Sequence, residues 1–80
     1  MRLDKYLKVS RLIKRRTVAN DAADAGRVSV NGKAVKPSYN VKVGDVIEIA
    51  FGTRSVKAKV LSIAETVKKE DAEGMYELLP

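Results

Sequence analysis

The chain has 80 residues, with 16 Lys and Arg against 10 Asp and Glu and with neither Cys nor His. A chain of this length makes one domain with a small core, and the missing residue types exclude disulfides, zinc-finger sites and a histidine general base. The charge is uneven: residues 1–45 hold 11 Lys and Arg against 4 Asp and Glu, a balance of +7, whereas residues 46–80 hold 5 against 6.

A first helix is expected from Leu3 to Leu12. At 100° per residue Leu3, Tyr6, Leu7 and Ile13 share one arc with Ser10, and Lys5, Lys8 and Arg11 share the opposite one. Asp4 falls in the first turn, where a carboxylate suits the helix dipole. A second helix is expected to begin with Thr17 as N-cap and to stop at Gly26 as a left-handed C′ residue. Its small residues Ala19, Ala22, Ala23 and Ala25, with Val18, form a packing side, leaving Asn20, Asp21 and Asp24 to solvent.

After Gly26 the pattern alternates. Asn31-Gly32 is the pair that a two-residue type I′ turn prefers, so a hairpin is expected from Arg27–Val30 and Lys33–Lys36, closed by Pro37. Gly44-Asp45 then turns the chain into a strand over Val46–Phe51, and Gly52-Thr53-Arg54 leads to a last strand over Val56–Val60. The domain is expected to span residues 1–63, with residues 64–80 a charged, mobile tail that forms at most a short helix. Met75-Tyr76-Glu77-Leu78-Leu79 is an apolar patch in that tail, suited to docking on the domain, to disorder or to a partner. The fold class is therefore α+β, with two N-terminal helices on a small antiparallel-rich sheet.

A positive field gathered on one half of a chain concentrates polyanions beside it, so nucleic acid is the leading partner class. The bland reading of a basic helix surface is a solvated face, but 7 Lys and Arg in the first 16 residues against a single acid exceed what solubility requires. Arg15 and Arg16 flank the start of the second helix, where free N–H groups and the dipole favour an anion. Guanidinium forks add paired donors, which puts Arg16 first, Arg2 beside it, and Lys5, Lys8, Arg11, Lys14 and Arg15 along the track. Arg27, Lys33 and Lys36 extend it across the hairpin. Tyr39, in the loop after Pro37, is the better stacking candidate, since Tyr6 lies in the apolar arc. Asn31 and Gly32 are demanded by the turn.

Four motifs in order resemble the S-four RNA-binding domain family, named after a small-subunit ribosomal protein: Arg2-Leu3-Asp4-Lys5-Tyr6-Leu7, Arg16-Thr17-Val18-Ala19, Ala25 to Lys33, and Gly44-Asp45-Val46-Ile47. The likeness runs from residue 2 to about residue 50 and implies the alpha-L RNA-binding fold. It is strongest to the stand-alone members, which begin with the Arg-Leu-Asp motif almost at residue 1. For those members the resemblance implies binding to a large ribosomal subunit that still carries peptidyl-tRNA, touching rRNA and tRNA alongside other quality-control factors. In one branch it implies support for template-free alanine addition to the stalled chain. The other branch is a heat-shock type that acts in ribosome recycling or assembly, whose longer members carry a basic C-terminal extension that this chain lacks.

No nucleophile–base pair, paired carboxylates, P-loop or metal cluster is legible, so an enzyme is not expected and no cofactor is implied. A DNA-binding helix-turn-helix is disfavoured, because a recognition helix with Asn20, Asp21 and Asp24 outward would point carboxylates at phosphates. No apolar run approaches the ~18 residues of a membrane span, and a signal-peptide core is missing, so the expectation is a cytoplasmic monomer without a membrane partner.

Overall fold

The structure is a computed structural model, described over residues 1–64 and 68–80. Two α-helices, α1 (Leu3–Val9) and α2 (Arg16–Asp24), lead into strands β1 (Val28–Val30), β2 (Lys33–Ala34), β3 (Val46–Phe51) and β4 (Arg54–Val60); a 3-10 helix (Lys69–Met75) and strand β5 (Tyr76–Leu79) follow. The strands form one antiparallel sheet in the order β2-β1-β3-β4-β5.

The α1 helix is shorter than its periodicity predicts. It ends at Val9 because Ser10 is the C-cap and Arg11 takes a left-handed conformation, φ 64°, which lets Ile13 N–H return to the Leu7 carbonyl at 3.1 Å. The predicted arc nevertheless survives: Leu3, Tyr6, Leu7, Ser10 and Ile13 are all buried. The α2 helix starts one residue before Thr17. Its N-cap is Arg15, which makes no side-chain cap bond, so Thr17 lies inside the first turn. Its far end is as expected. Gly26 adopts φ 76°, its N–H bonds the Ala23 carbonyl at 3.0 Å, and Arg27 N–H bonds that of Ala22 at 2.9 Å, the paired bonds of a Schellman stop.

Asn31 (φ 53°) and Gly32 (φ 87°) form the expected hairpin turn. The strands are shorter than predicted, since Arg27 is spent on the helix stop and Lys36 on a turn that returns Tyr39 N–H to its carbonyl. Beyond Phe51 only Gly52 and Thr53 turn, and Arg54 already pairs with Phe51.

The end of the chain is part of the sheet. Tyr76–Leu79 pairs with Lys57–Val60, and the buried Met75 joins the core. The short-helix and docking alternatives are thus the ones realised over residues 69–79, so the sheet runs past the expected boundary at residue 63. Glu65, Thr66 and Val67, within the expected tail, lie outside the described residues. The physical reason is legible afterwards: Ala72, Met75 and Tyr76 recur among charged residues at a spacing that buries one edge, a signal that composition averages away. Tyr6 fixes this end, donating its hydroxyl to the Met75 carbonyl at 2.7 Å. Burial, with Tyr76 nearby, pushes the Tyr6 phenol up to about 12, so it is a permanent donor.

Core residues from α1, α2 and one face of β1, β3 and β4 pack together, with Leu3, Leu7, Ala19, Val28, Ile47 and Ile49 essentially inaccessible. Val18 does not join them. It is 49% exposed, on the rim of α2 rather than under it.

Candidate nucleic-acid interface

The N-terminal segment is pinned before its side chains are placed. Leu3 N–H bonds the Tyr39 carbonyl at 2.8 Å and Asp4 N–H that of Pro37 at 3.1 Å, so the loop supplies acceptors to the first turn of α1. Arg2 pairs with Asn40 as a lone antiparallel bridge.

This fixes Asp4 in a position the sequence does not reveal. Its side chain is only 3% exposed and faces the start of α2. Its two carboxylate oxygens accept from Arg2 Nε and Nη2 at 3.2 Å each, from the Lys5 N–H at 2.8 Å, from Asn20 Nδ2 at 3.2 Å and from Arg16 Nη2 at 3.4 Å. Burial raises the carboxyl's pKa and is the largest single influence. The bonds from Asn20, Arg2 and the Lys5 N–H, with the Arg16 charge, together outweigh it and hold Asp4 below the usual carboxylate range. Asp4 is therefore an anion that gathers two guanidinium groups, not merely a helix-start charge. Asn20, expected in solvent, is half-buried as its neutral fourth partner.

Arg2 and Arg16, 14 positions apart, are thereby brought side by side. Their side chains stay 52% and 49% exposed, each anchored on its inner side with other donors left toward water. Beside them Asp4, Arg16, Thr17, Asn20 and Asp21 line an open recess of about 290 Å³. The N–H groups of Arg16, Thr17 and Val18 precede the first bond of α2, from Ala19 N–H to the Arg15 carbonyl. Of the remaining sequence-predicted residues, Lys8, Arg11, Lys14 and Arg15 are exposed on α1 and the connection to α2, and Lys5 is half-buried. Lys36 directly precedes Pro37 at the start of α1, whereas Lys33 lies on edge strand β2 and Arg27 in a different recess, beyond Asp21.

Tyr39 is not free to stack. Its hydroxyl donates to Asp45 at 3.0 Å, which raises its pKa, and its ring packs on the core. Asp45 also accepts from Asn31 Nδ2 at 3.1 Å, while Asn31 Oδ1 accepts the Val46 N–H at 3.0 Å, so the turn residue is structural as expected.

The model of the S4 domain matches residues 1–47, which hold this whole cluster. The chain belongs to the S4 domain family. Over 79 residues it is 58% identical to the RQC P-site tRNA stabilizing factor of Streptococcus pneumoniae, covering 99% of this chain and 90% of that protein. It is 35% identical to a heat shock protein 15 homologue of Aeromonas salmonicida, over 96% of this chain and 59% of that one. Among solved structures, the trimeric Vibrio cholerae heat shock protein 15 superposes with a TM-score of 0.90 at 29% identity, over 99% of this chain and 81% of that chain. That superposition extends well beyond residue 47, where the family match ends.

Proposed function

We propose that this S4-domain protein binds RNA on the large ribosomal subunit, contacting rRNA and P-site peptidyl-tRNA during ribosome-associated quality control, and so supports alanine tailing of the stalled chain. The observation that carries the reading is the pair of half-exposed guanidiniums that Asp4 holds at the start of α2, in a chain 58% identical to a P-site tRNA stabilizing factor. A phosphate seated there would meet two oriented forks and the first-turn N–H groups of the helix. Arg2 and Arg16 are its primary contacts; Lys5, Lys8, Arg11, Lys14 and Arg15 extend the positive surface, with Lys36 beside α1 and Arg27 and Lys33 further out. The protein acts in the cytoplasm, as a monomer and without catalysis of its own. It holds RNA in place.

A heat-shock-type role in recycling or assembly is the second reading, favoured by the fold likeness of 0.90 to heat shock protein 15. Purification of the tagged protein from cells, gradient sedimentation and sequencing of crosslinked RNA separates the two. Recovery with free large subunits carrying peptidyl-tRNA is expected. Recovery with assembly precursors would favour the second role, and recovery of DNA, or of no nucleic acid, would refute both.

A further inference from the structure

A second recess opens on the other side of Asp21. It has a volume of about 190 Å³ and lies between α2 and the end of β3, with Val18, Ala22, Ile49 and Phe51 in its apolar lining and Asp21 and Arg27 as its charged groups. Val18 and Phe51 are 49% and 46% exposed. Among the described residues the Arg27 side chain makes no hydrogen bond or ion pair. A half-exposed ring and an aliphatic wall beside an unpaired guanidinium suit a ligand with a flat apolar face, polar edges and an attached anion.

We propose that this cleft receives one unstacked nucleobase of the bound RNA, laid against Phe51, with its flanking phosphate on Arg27 and its exocyclic amino group donating to Asp21. The inference rests on the RNA-binding reading above. Three features favour a base over an apolar side chain of a protein partner. The half of the chain that holds α2 carries the +7 balance, complementary to a polyanion. The two recesses are neighbours, because Asp21 lines both. At 1.5 Å rise per residue, Arg16 and Asp21 lie ~7.5 Å apart along α2, so a strand held at Arg16 passes the cleft within a nucleotide or two. The third is the sense of the carboxylate. Asp21 repels a phosphate but accepts from the amino groups of adenine, guanine and cytosine, which uracil lacks.

The test is binding of the full chain to four six-nucleotide RNAs, one all uridine and three carrying a single adenosine, guanosine or cytidine. All four have the same charge, so the Arg2–Arg16 contribution is common to them. The three amino-bearing RNAs are expected to bind more tightly than the all-uridine one. Phe51→Leu, which keeps apolar cover and loses the ring, should weaken them by at least about fivefold, the lower end of base–aromatic stacking. Asp21→Ala, which removes the acceptor, should abolish the preference, while Arg16→Ala should weaken all four alike. Equal binding of the four RNAs, unchanged by Phe51→Leu but weakened by Arg16→Ala, would overturn the cleft and leave the RNA reading standing. Binding of none of them, with large subunits also not retained, would overturn both. Cleft residues shifted in NMR spectra by ribosomal-protein fractions but not by these RNAs would assign the cleft to a protein partner and overturn the proposal.

Discussion

Replacing Asp4 with Asn keeps the side chain's shape and removes its charge, and two simple expectations for RNA binding then have opposite signs. As a mere negative charge in a basic field, Asp4 opposes RNA, so its removal should tighten binding. As the brace of Arg2 and Arg16, it prepares binding, so its removal should weaken it. The structure supports the second. An amide keeps one acceptor and turns its NH2 toward the donors at the other position, either Arg2 Nη2 and Asn20 at Oδ2 or Arg2 Nε, Arg16 and the Lys5 N–H at Oδ1, and in both cases the charge that holds the two guanidiniums is gone. Hydrogen bonds to a charged group are worth ~1.5–3 kcal/mol each, but Arg2 and Arg16 are half in water and recover hydration when released, so the expected net loss of stability is ~2 kcal/mol. For a domain of this size that lowers the melting temperature by ~8–16 °C. Two freed Arg side chains must then be ordered again on binding at ~0.5–1.5 kcal/mol each, so affinity for purified large subunits should fall ~5- to 150-fold. Co-sedimentation at fixed salt, below the melting temperature of the variant, measures it. Unchanged or tighter binding by folded protein would refute the brace. The same variant has a pH signature. The folded Asp4 carboxyl titrates below its unfolded value, so its stabilisation is present above about pH 4 and is lost as pH falls through the folded pKa. Asp4→Asn should flatten the acid limb of the stability curve.

Arg16→Ala should weaken large-subunit binding while lowering the melting temperature by ~8 °C at most, because its half-exposed pair with Asp4 is worth ~0–1 kcal/mol. Affinity of the unmodified protein should fall with salt at a log–log slope of ~0.7 to 0.9 per phosphate neutralised, and that slope should drop in the variant; a flat response would contradict the phosphate contacts. Tyr6→Phe should cost ~0.5–1.5 kcal/mol in denaturant melts, since it removes a buried hydrogen bond while the Met75 carbonyl keeps the Leu61 and Ser62 N–H donors. A neutral result would mean that water replaces the hydroxyl. Gly26→Val should destabilise by ~1–2 kcal/mol although an added Cβ meets nothing within 4 Å, because the penalty lies in the left-handed backbone. An unshifted melting curve would show that the helix stop tolerates a branched residue.

The parts of the fold legible in the sequence are those set by local chemistry. The Leu3–Tyr6–Leu7 arc, the Gly26 stop, the Asn31-Gly32 turn and the alternation in Val46–Phe51 each follow from periodicity or from backbone conformations that few residues adopt. What escaped depends on distant partners. Arg11 enters the left-handed region without being Gly or Asn, so nothing local announces the end of α1 at Val9. Tyr76–Leu79 becomes a strand because β4 offers an open edge, and its own charged neighbours conceal that. The Arg2 and Arg16 candidates were readable as basic residues near a helix start. Their shared anchor was not, because Asp4 and Asn20 each have an ordinary local explanation, and only their juxtaposition across the two helices gives them a common role.

The central claim is that the Asp4-braced face meets RNA on the large subunit. Photocrosslinking tests it most directly, with a crosslinking amino acid placed in the full-length protein at position 16, or at position 57 on the outer face of the sheet as a control, and with large subunits carrying peptidyl-tRNA. The account predicts crosslinks to tRNA or rRNA from position 16 and none from position 57. Crosslinks from position 57 with position 16 silent would contradict it, and would move the RNA-binding surface to the opposite side of the domain.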